Sequence, residues 1–402
     1  MGGGGLGSQS RGSLHEGQEQ RRERAPRVLH VAQPTTGGVA VYVAQAAADQ
    51  RRRGWDVAVA CPDPSPLAER LSAGGVPVIG WSAGRSPNAR TPAEARRLRR
   101  IVNGFAPDVV HLHSAKAGLA GRLAGGGRER PHGLIFQPHG WSWLAGGSLL
   151  ARISKIWERA AAARCDALVC VGEGELEQGR DAGVRGRLLV VRNGVDLDRF
   201  RAADGAARQA ARRALGVPAD TALAVCLGRH SRQKGQDVLL EAWPAVSARC
   251  PRARLALVGD ADGNGRGGAA ARPLNDTIAT FPATDDPRPW LAAADVVVMP
   301  SRWEGLPLVA LEALATGRSV VGTRIPGLTE VVPAGAGRLV PAGAPQPLAD
   351  AVAERLLDPG LADAEGAEAA RLAAAFDLTG TLERLAALTA TVASRSSATA
   401  TP

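Results

Sequence analysis

Glu304 and Glu312 stand eight residues apart in the stretch SRWEGLPLVALEALATGRSVVGT, Ser301–Thr323. The apolar run Asp295–Pro300 just before it reads as a strand. Glu304 therefore falls in the loop at the strand end, and Glu312 about two turns into the following helix. Gly305 lets backbone come close there, and the amides from Gly305 through Leu306 to Leu308 stand at a helix start. A carboxylate beside such amides binds hydroxyl groups, because it accepts hydrogen bonds while the amides donate them. Sugars are arrays of hydroxyls. Three further groups follow apolar runs. In TTGGV, Gly37 and Gly38 would let helix-start amides face phosphate or acceptor oxygens; the pattern is neither GxGxxG nor GxxxxGK[ST]. In FQPHGW, His139 and Gly140 come directly after a strand, and in HLHSAKAGLAGR so do His113, Ser114 and Lys116.

The elements that must hold these groups show a repeating rhythm. The runs Val28–Ala32, Val57–Ala60, Val76–Ile79, Val109–Leu112, Leu134–Phe136, Ala167–Val171 and Leu188–Val191 alternate with helical patterns such as Val39–Arg53 and Pro92–Phe105. After a pause the rhythm restarts with Ala222–Leu227, Leu255–Val258, Ile278–Phe281, Val296–Met299, Ser319–Gly322 and Gly337–Val340. Continuously apolar strands separated by helices predict parallel sheets covered on both faces, the doubly wound α/β pattern. The expected layout is a disordered tail over 1–25, an acceptor-side domain over 26–200, a donor-nucleotide domain over 201–375, and a closing helix over 376–395 that crosses back to the first domain. Ligands of such sheets sit at the carboxyl ends of the strands, so the natural site is the cleft between the domains.

The Ser301–Thr323 stretch resembles the E-x7-E donor motif of retaining GT-B glycosyltransferases of family 4. CLGRHSRQKG at Cys226–Gly235 is similar to that family's Gly-Arg…Lys-Gly segment. NGVD at Asn193–Asp196, VGD at Val258–Asp260 and AGRLVPAGA at Ala336–Ala344 resemble its later segments in order. The resemblance spans residues from about 27 to 390. It implies two Rossmann-like domains and transfer of a sugar from a nucleotide-diphosphate sugar with retention. It assigns Arg229 and Lys234 to the diphosphate, where two cations stabilise a departing anion. It places Glu304 on the sugar hydroxyls, Glu312 on the ribose, His139 on the sugar from the opposite domain, and Gly259 and Asp260 near the base. His113, Ser114 and Lys116 fall on the acceptor side. UDP- or GDP-sugars are the favoured donors. Asp260–Asp262 spells a DxD but lies in a departing Gly-rich loop, so no obligatory metal or other cofactor is expected. That loop, ADGNGRGGAAARPLNDTIATFPATDD, departs from the family pattern and leaves the base undecided.

The chain of 402 residues carries a formal charge of +10, and the excess lies between Pro26 and Arg199. Arg51–Arg53, then Arg96, Arg97, Arg99 and Arg100 with Ile101 and Phe105, and RISKIWER with Trp157, read as basic surfaces with apolar content. They favour an anionic membrane surface and a lipid-linked or phosphorylated acceptor in envelope or polysaccharide synthesis. A soluble acceptor such as an inositol phosphate, an epimerase of the same fold, and a non-catalytic basic binding protein are the alternatives. Aromatics make up 3% of the chain and no reader motif is present, which argues against nucleic acid. The five cysteines form no CxxC pair and suit reduced thiols. No signal or membrane-spanning run is read, so the expectation is a cytoplasmic protein that meets the inner face of the plasma membrane only from its surface.

Overall fold

A computed structural model describes residues 25–124, 130–259 and 272–399. The expected tail falls almost wholly on residues outside this set, as do Asp260 and nearly all of the Gly-rich segment. The first half runs β1 (Arg27–Ala32), α1 (Gly37–Arg52), β2 (Asp56–Cys61), α2 (Pro66–Ala73), β3 (Val78–Gly80), α3 (Thr91–Phe105), β4 (Val109–His113), α4 (Ser114–Ala124), β5 (Gly133–Gln137), α5 (Ser148–Ala162), β6 (Ala167–Cys170), α6 (Glu173–Asp181) and β7 (Leu188–Val190). The second half runs α7 (Gly205–Ala214), β8 (Ala222–Leu227), α8 (Gln236–Arg249), β9 (Ala253–Val258), β10 (Arg272–Asn275), β11 (Ile278–Phe281), α9 (Arg288–Ala293), β12 (Val296–Met299), α10 (Leu308–Ala315), β13 (Ser319–Thr323), α11 (Pro326–Val331), β14 (Gly337–Val340), α12 (Pro345–Leu357), α13 (Pro359–Ala373) and α14 (Leu378–Thr399).

Among the described residues these strands form two seven-stranded sheets, ordered β3-β2-β1-β4-β5-β6-β7 and β10-β11-β9-β8-β12-β13-β14. Every pairing is parallel except β10 with β11. Runs such as VVHLH and VVVM are buried along their whole length, because helices cover both faces of each sheet. The strand order reverses between β1 and β4 in one sheet and between β8 and β12 in the other. A crevice opens at such a point because successive helices leave in opposite directions. Beside it the ends of β8 and β9 approach closely: a Cβ on Gly259 would lie 2.2 Å from the Gly228 carbonyl oxygen.

The helices show why the two halves stay together. α14 begins with backbone bonds to the other half, Leu378 N to Val195 O at 3.0 Å and Val195 N to Phe376 O at 2.8 Å. It then buries Leu382, Leu385, Leu388 and Val392 against Tyr42, Ala46, Val109 and Ile135 of the first domain. α3 turns Ala95 and Leu98 inward and leaves Arg96, Arg97, Arg99 and Arg100 exposed. Ile101 and Phe105, read above as part of an apolar surface, pack instead on the core, with the Arg27 guanidinium over the Phe105 ring. Trp157 is likewise half-buried, its ring lying 5.6 Å from the Arg122 guanidinium. The exposed apolar residues of α5 are Leu149, Leu150, Ile153 and Ile156.

Candidate active site

The second domain contributes a compact charge cluster at its switch point. Lys234, in the loop after β8, places Nζ 2.6 Å from Glu304 Oε1 in the loop after β12. Ser301 Oγ donates to the same oxygen at 2.7 Å, and Gln233 Nε2 donates to Glu304 Oε2 at 3.3 Å. Glu304 is buried at 7% exposure, so these partners offset the cost of holding a carboxylate out of water. Arg229 lies near enough to Glu304 to feel its charge. Burial, and then the charge of Arg85, hold the Arg229 guanidinium below its usual range, while Glu304 acts the other way. Arg85 comes from the loop after β3 in the first domain. Lys234 thus pairs with Glu304 while Arg229 feels the charges of both Glu304 and Arg85, a cationic surround suited to an anionic ligand.

Two helix starts face this cluster. α1 begins at Gly37 with φ +73°; its cap residue Thr36 makes no side-chain cap bond, and no acid lies in the first turn. α10 begins at Leu308 after Pro307, again with no side-chain cap bond and no acid in the first turn. The starts stand opposite each other: a Cβ on Gly38 would lie 3.6 Å from Leu308 Cδ1. Amides left unbonded at two helix starts favour negative oxygens between them. Glu312, two turns into α10, is half-buried; burial pushes its carboxyl up to about 7, with Arg199 pulling it down and Asp286 pushing it up.

The domains touch at the loop after β12. A Cβ on Gly305 would lie 2.8 Å from Val171 Cγ2, 3.4 Å from Gly140 N and 3.5 Å from His139 C. Leu306 is buried, and its carbonyl accepts from Asn193 Nδ2 at 2.7 Å. What Leu306 offers the cleft is therefore its amide. His139 follows β5 with φ +54°, an unusual conformation for a residue with a side chain. Gly140 N donates to Glu175 Oε1 and Val171 N donates to Glu175 Oε2 at 2.7 Å, so one α6 carboxylate ties the ends of β5 and β6 together.

Burial pushes the Glu175 carboxyl up from 4.5 to about 7, against the pull of those two amides. The folded state therefore binds more protons than the unfolded chain between those values, and the contribution of Glu175 to stability falls as pH rises through that window. Glu175→Gln should gain melting temperature relative to the native protein between pH 5 and pH 8, by up to about 3 kcal/mol of stability. A difference that stays constant across that range would contradict it.

On the acceptor side the structure separates the three residues named above. Ser114 opens α4 with φ +67° and is half-buried. His113 is fully buried and bonded at both ring nitrogens, to His30 and to His139. Lys116 does not reach the cleft. It is 3% exposed, pairs with Glu94 Oε2 at 2.5 Å, and donates to Thr91 Oγ1 at 2.9 Å and Ser86 O at 3.2 Å. Its cation is thus spent inside the fold, where it pins the segment beside Arg85. Arg85, Ser301 and Gln233 are site residues the sequence did not single out. Ser301 had a local signal in its position three residues before Glu304; Arg85 had none, because its neighbourhood is built from the other domain.

Comparison with known proteins identifies the family. Residues 36–199 match the family model for Glycosyltransferase Family 4, and residues 221–358 that for Glycosyl transferases group 1. The chain is 33% identical over 398 residues to the D-inositol 3-phosphate glycosyltransferase of Actinosynnema mirum, covering 88% of this chain and 93% of that one. The chain belongs to the GT-B glycosyltransferases. D-inositol 3-phosphate glycosyltransferase 2 of Catenulispora acidiphila is 38% identical over 225 residues, and there the match spans about half of the relative, 51% of it and 52% of this chain. The fold of this glycosyltransferase superposes on Anabaena Alr3699/HepE, solved with UDP-glucose, with a TM-score of 0.76 at 20% identity, covering 91% of this chain and all of that one.

Proposed function

We propose that this glycosyltransferase moves a sugar from a UDP- or GDP-sugar, with retention at the anomeric carbon, to a hydroxyl of a small phosphorylated polyol such as an inositol phosphate. The observation that carries the reading is the convergence of Arg229, Lys234 and Glu304 beneath two facing helix starts. Arg229 and Lys234 take the diphosphate and stabilise its charge as the bond to the sugar breaks. Glu304 and the amides of Gly305, Leu306 and Leu308 hold sugar hydroxyls, Glu312 the ribose, and His139 the sugar from the first domain. The acceptor hydroxyl enters on the side the diphosphate leaves, and a phosphate oxygen takes its proton. Gly37, Gly38 and Arg85 form the anion-binding side that suits a phosphorylated acceptor. The names of the curated relatives support that acceptor over a lipid-linked one.

The test is a matrix of UDP-, GDP-, ADP- and dTDP-sugars against D-inositol 3-phosphate and unphosphorylated inositol, read by nucleotide release and by NMR of the product anomer. The proposal expects one donor to react, with a product of unchanged anomeric configuration that requires the phosphate. Inverted product, or equal use of unphosphorylated inositol, would overturn it.

One observation favours a second reading, a lipid-linked acceptor. Leu149, Ile153 and Ile156 form a stripe of α5 that is 54–70% exposed, flanked by exposed Arg152 and Arg159, and α3 exposes Arg96, Arg97, Arg99 and Arg100. An apolar stripe among cations fits an anionic bilayer surface. No helix among the described residues is long and apolar enough to cross a membrane. Sedimentation with phosphatidylglycerol vesicles and not with phosphatidylcholine vesicles, lost in Ile153→Glu, would support this reading; no sedimentation with either would remove it.

A further inference from the structure

Behind His139 lies a row of buried polar side chains that the proposed chemistry does not use. Gln50 of α1 presents Oε1 to His30 Nε2 at 2.8 Å. His30 of β1 meets His113 of β4, Nδ1 to Nε2, at 2.9 Å. His113 Nδ1 in turn meets His139 Nε2 at 3.1 Å. His30 and His113 stack with ring centroids 5.2 Å apart, His113 and His139 at 5.4 Å, and the Tyr42 ring stands edge-on to His139. Gln50, His30 and His113 are at most 1% exposed, and His139 is half-buried where the cleft begins. His111 lies beside the row, its ring centroid 4.0 Å from that of His113, and the bonds that join the row's members do not pass through it.

With the Gln50 amide turned so that Oε1 meets His30, the direction of this chain follows from that end. A carbonyl oxygen only accepts, so His30 Nε2 carries the hydrogen. Burial holds His30 down to about 4 and His139 to about 3, which keeps the rings neutral with one N–H each. His30 Nδ1 is then an acceptor, so His113 Nε2 donates to it. His113 Nδ1 is an acceptor in turn, so His139 Nε2 donates to it. We propose that Gln50, through His30 and His113, sets the tautomer of His139 so that its Nδ1 faces the cleft as a hydrogen-bond acceptor. Gln50, His30 and His113 are positioning residues. Their effect is selectivity for a ligand hydroxyl that can donate. This rests on the reading of His139 as a sugar contact only for its consequence, and the tautomer itself is measured without any ligand.

The test has two parts. Long-range 1H–15N NMR of the ligand-free protein should show the Nε2–H tautomer at His30, His113 and His139 alike. In Gln50→Met, which keeps the volume and removes the acceptor, His139 should become a mixture of tautomers. With a donor that turns over, Gln50→Met should raise the donor KM about three- to tenfold with little change in kcat. For the native protein, a sugar carrying fluorine at the contacted position should bind as poorly as the deoxy sugar, since fluorine cannot donate. An Nδ1–H tautomer at His139, an unchanged tautomer in Gln50→Met, or a fluoro sugar that binds like the parent would overturn the proposal. Displacement of these resonances by one equivalent of zinc would also overturn it, by making His30, His111 and His113 a metal site. If the tautomers are as stated and no donor binds, the chain stands and the transfer reading fails.

Discussion

Lys234→Ala is expected to lower kcat/KM for the sugar nucleotide by about a hundredfold or more. The Lys234 ammonium is 2.6 Å from Glu304 Oε1 and shares its loop cluster with Arg229. Removing it takes away one of the cations that stabilise the departing diphosphate. Glu304 keeps its bonds from Ser301 and Gln233, so the fold should survive and the loss should appear in turnover. Steady-state nucleotide release, with melting temperature measured on the same sample, checks this. A variant within about threefold of native turnover would mean that the diphosphate lies elsewhere.

Gly305→Ala is expected to cost about tenfold to a hundredfold in kcat/KM while shifting the melting temperature by only a few degrees. The added methyl would lie 2.8 Å from Val171 Cγ2 and against the His139–Gly140 backbone, so the Glu304 loop must move away from the first domain. A displacement near one ångström between reacting groups is enough for losses of that size. Gly104→Ala, on α3, is the matched control. Its methyl meets nothing within 4 Å, so activity should stay within about threefold. Equal losses in both variants would point to general loss of packing rather than to the contact between loops.

Much of the fold was legible because the strands are buried on both faces. Ala222–Leu227, Ile278–Phe281 and Gly337–Val340 coincide with apolar runs read from the sequence alone. β10 was not legible: Arg272–Asn275 carries no apolar run and pairs antiparallel at the sheet edge. The site divides in the same way. Glu304, Lys234, Arg229 and His139 could be named because each follows a strand in a short motif. Lys116 looked alike by position, yet Glu94, 22 residues earlier on another helix, takes its charge. The row Gln50–His30–His113–His139 was hidden for the same reason. His30 reads as one polar residue in the run RVLHVA, and only the parallel register that sets it against β4, with α1 above, makes it part of a chain. Exposure was the least legible property: Trp157 turns inward while Leu149, Ile153 and Ile156 remain in solvent.

The central claim is that Arg229, Lys234 and Glu304 form the diphosphate and sugar site, and calorimetric titration of the native protein with UDP and with GDP tests it most directly. The account predicts saturable one-to-one binding of at least one of them, weakened at least tenfold in Arg229→Ala and in Lys234→Ala, and a matching rise in the native melting temperature. Absence of binding by both nucleotides, or binding that neither substitution weakens, would contradict it.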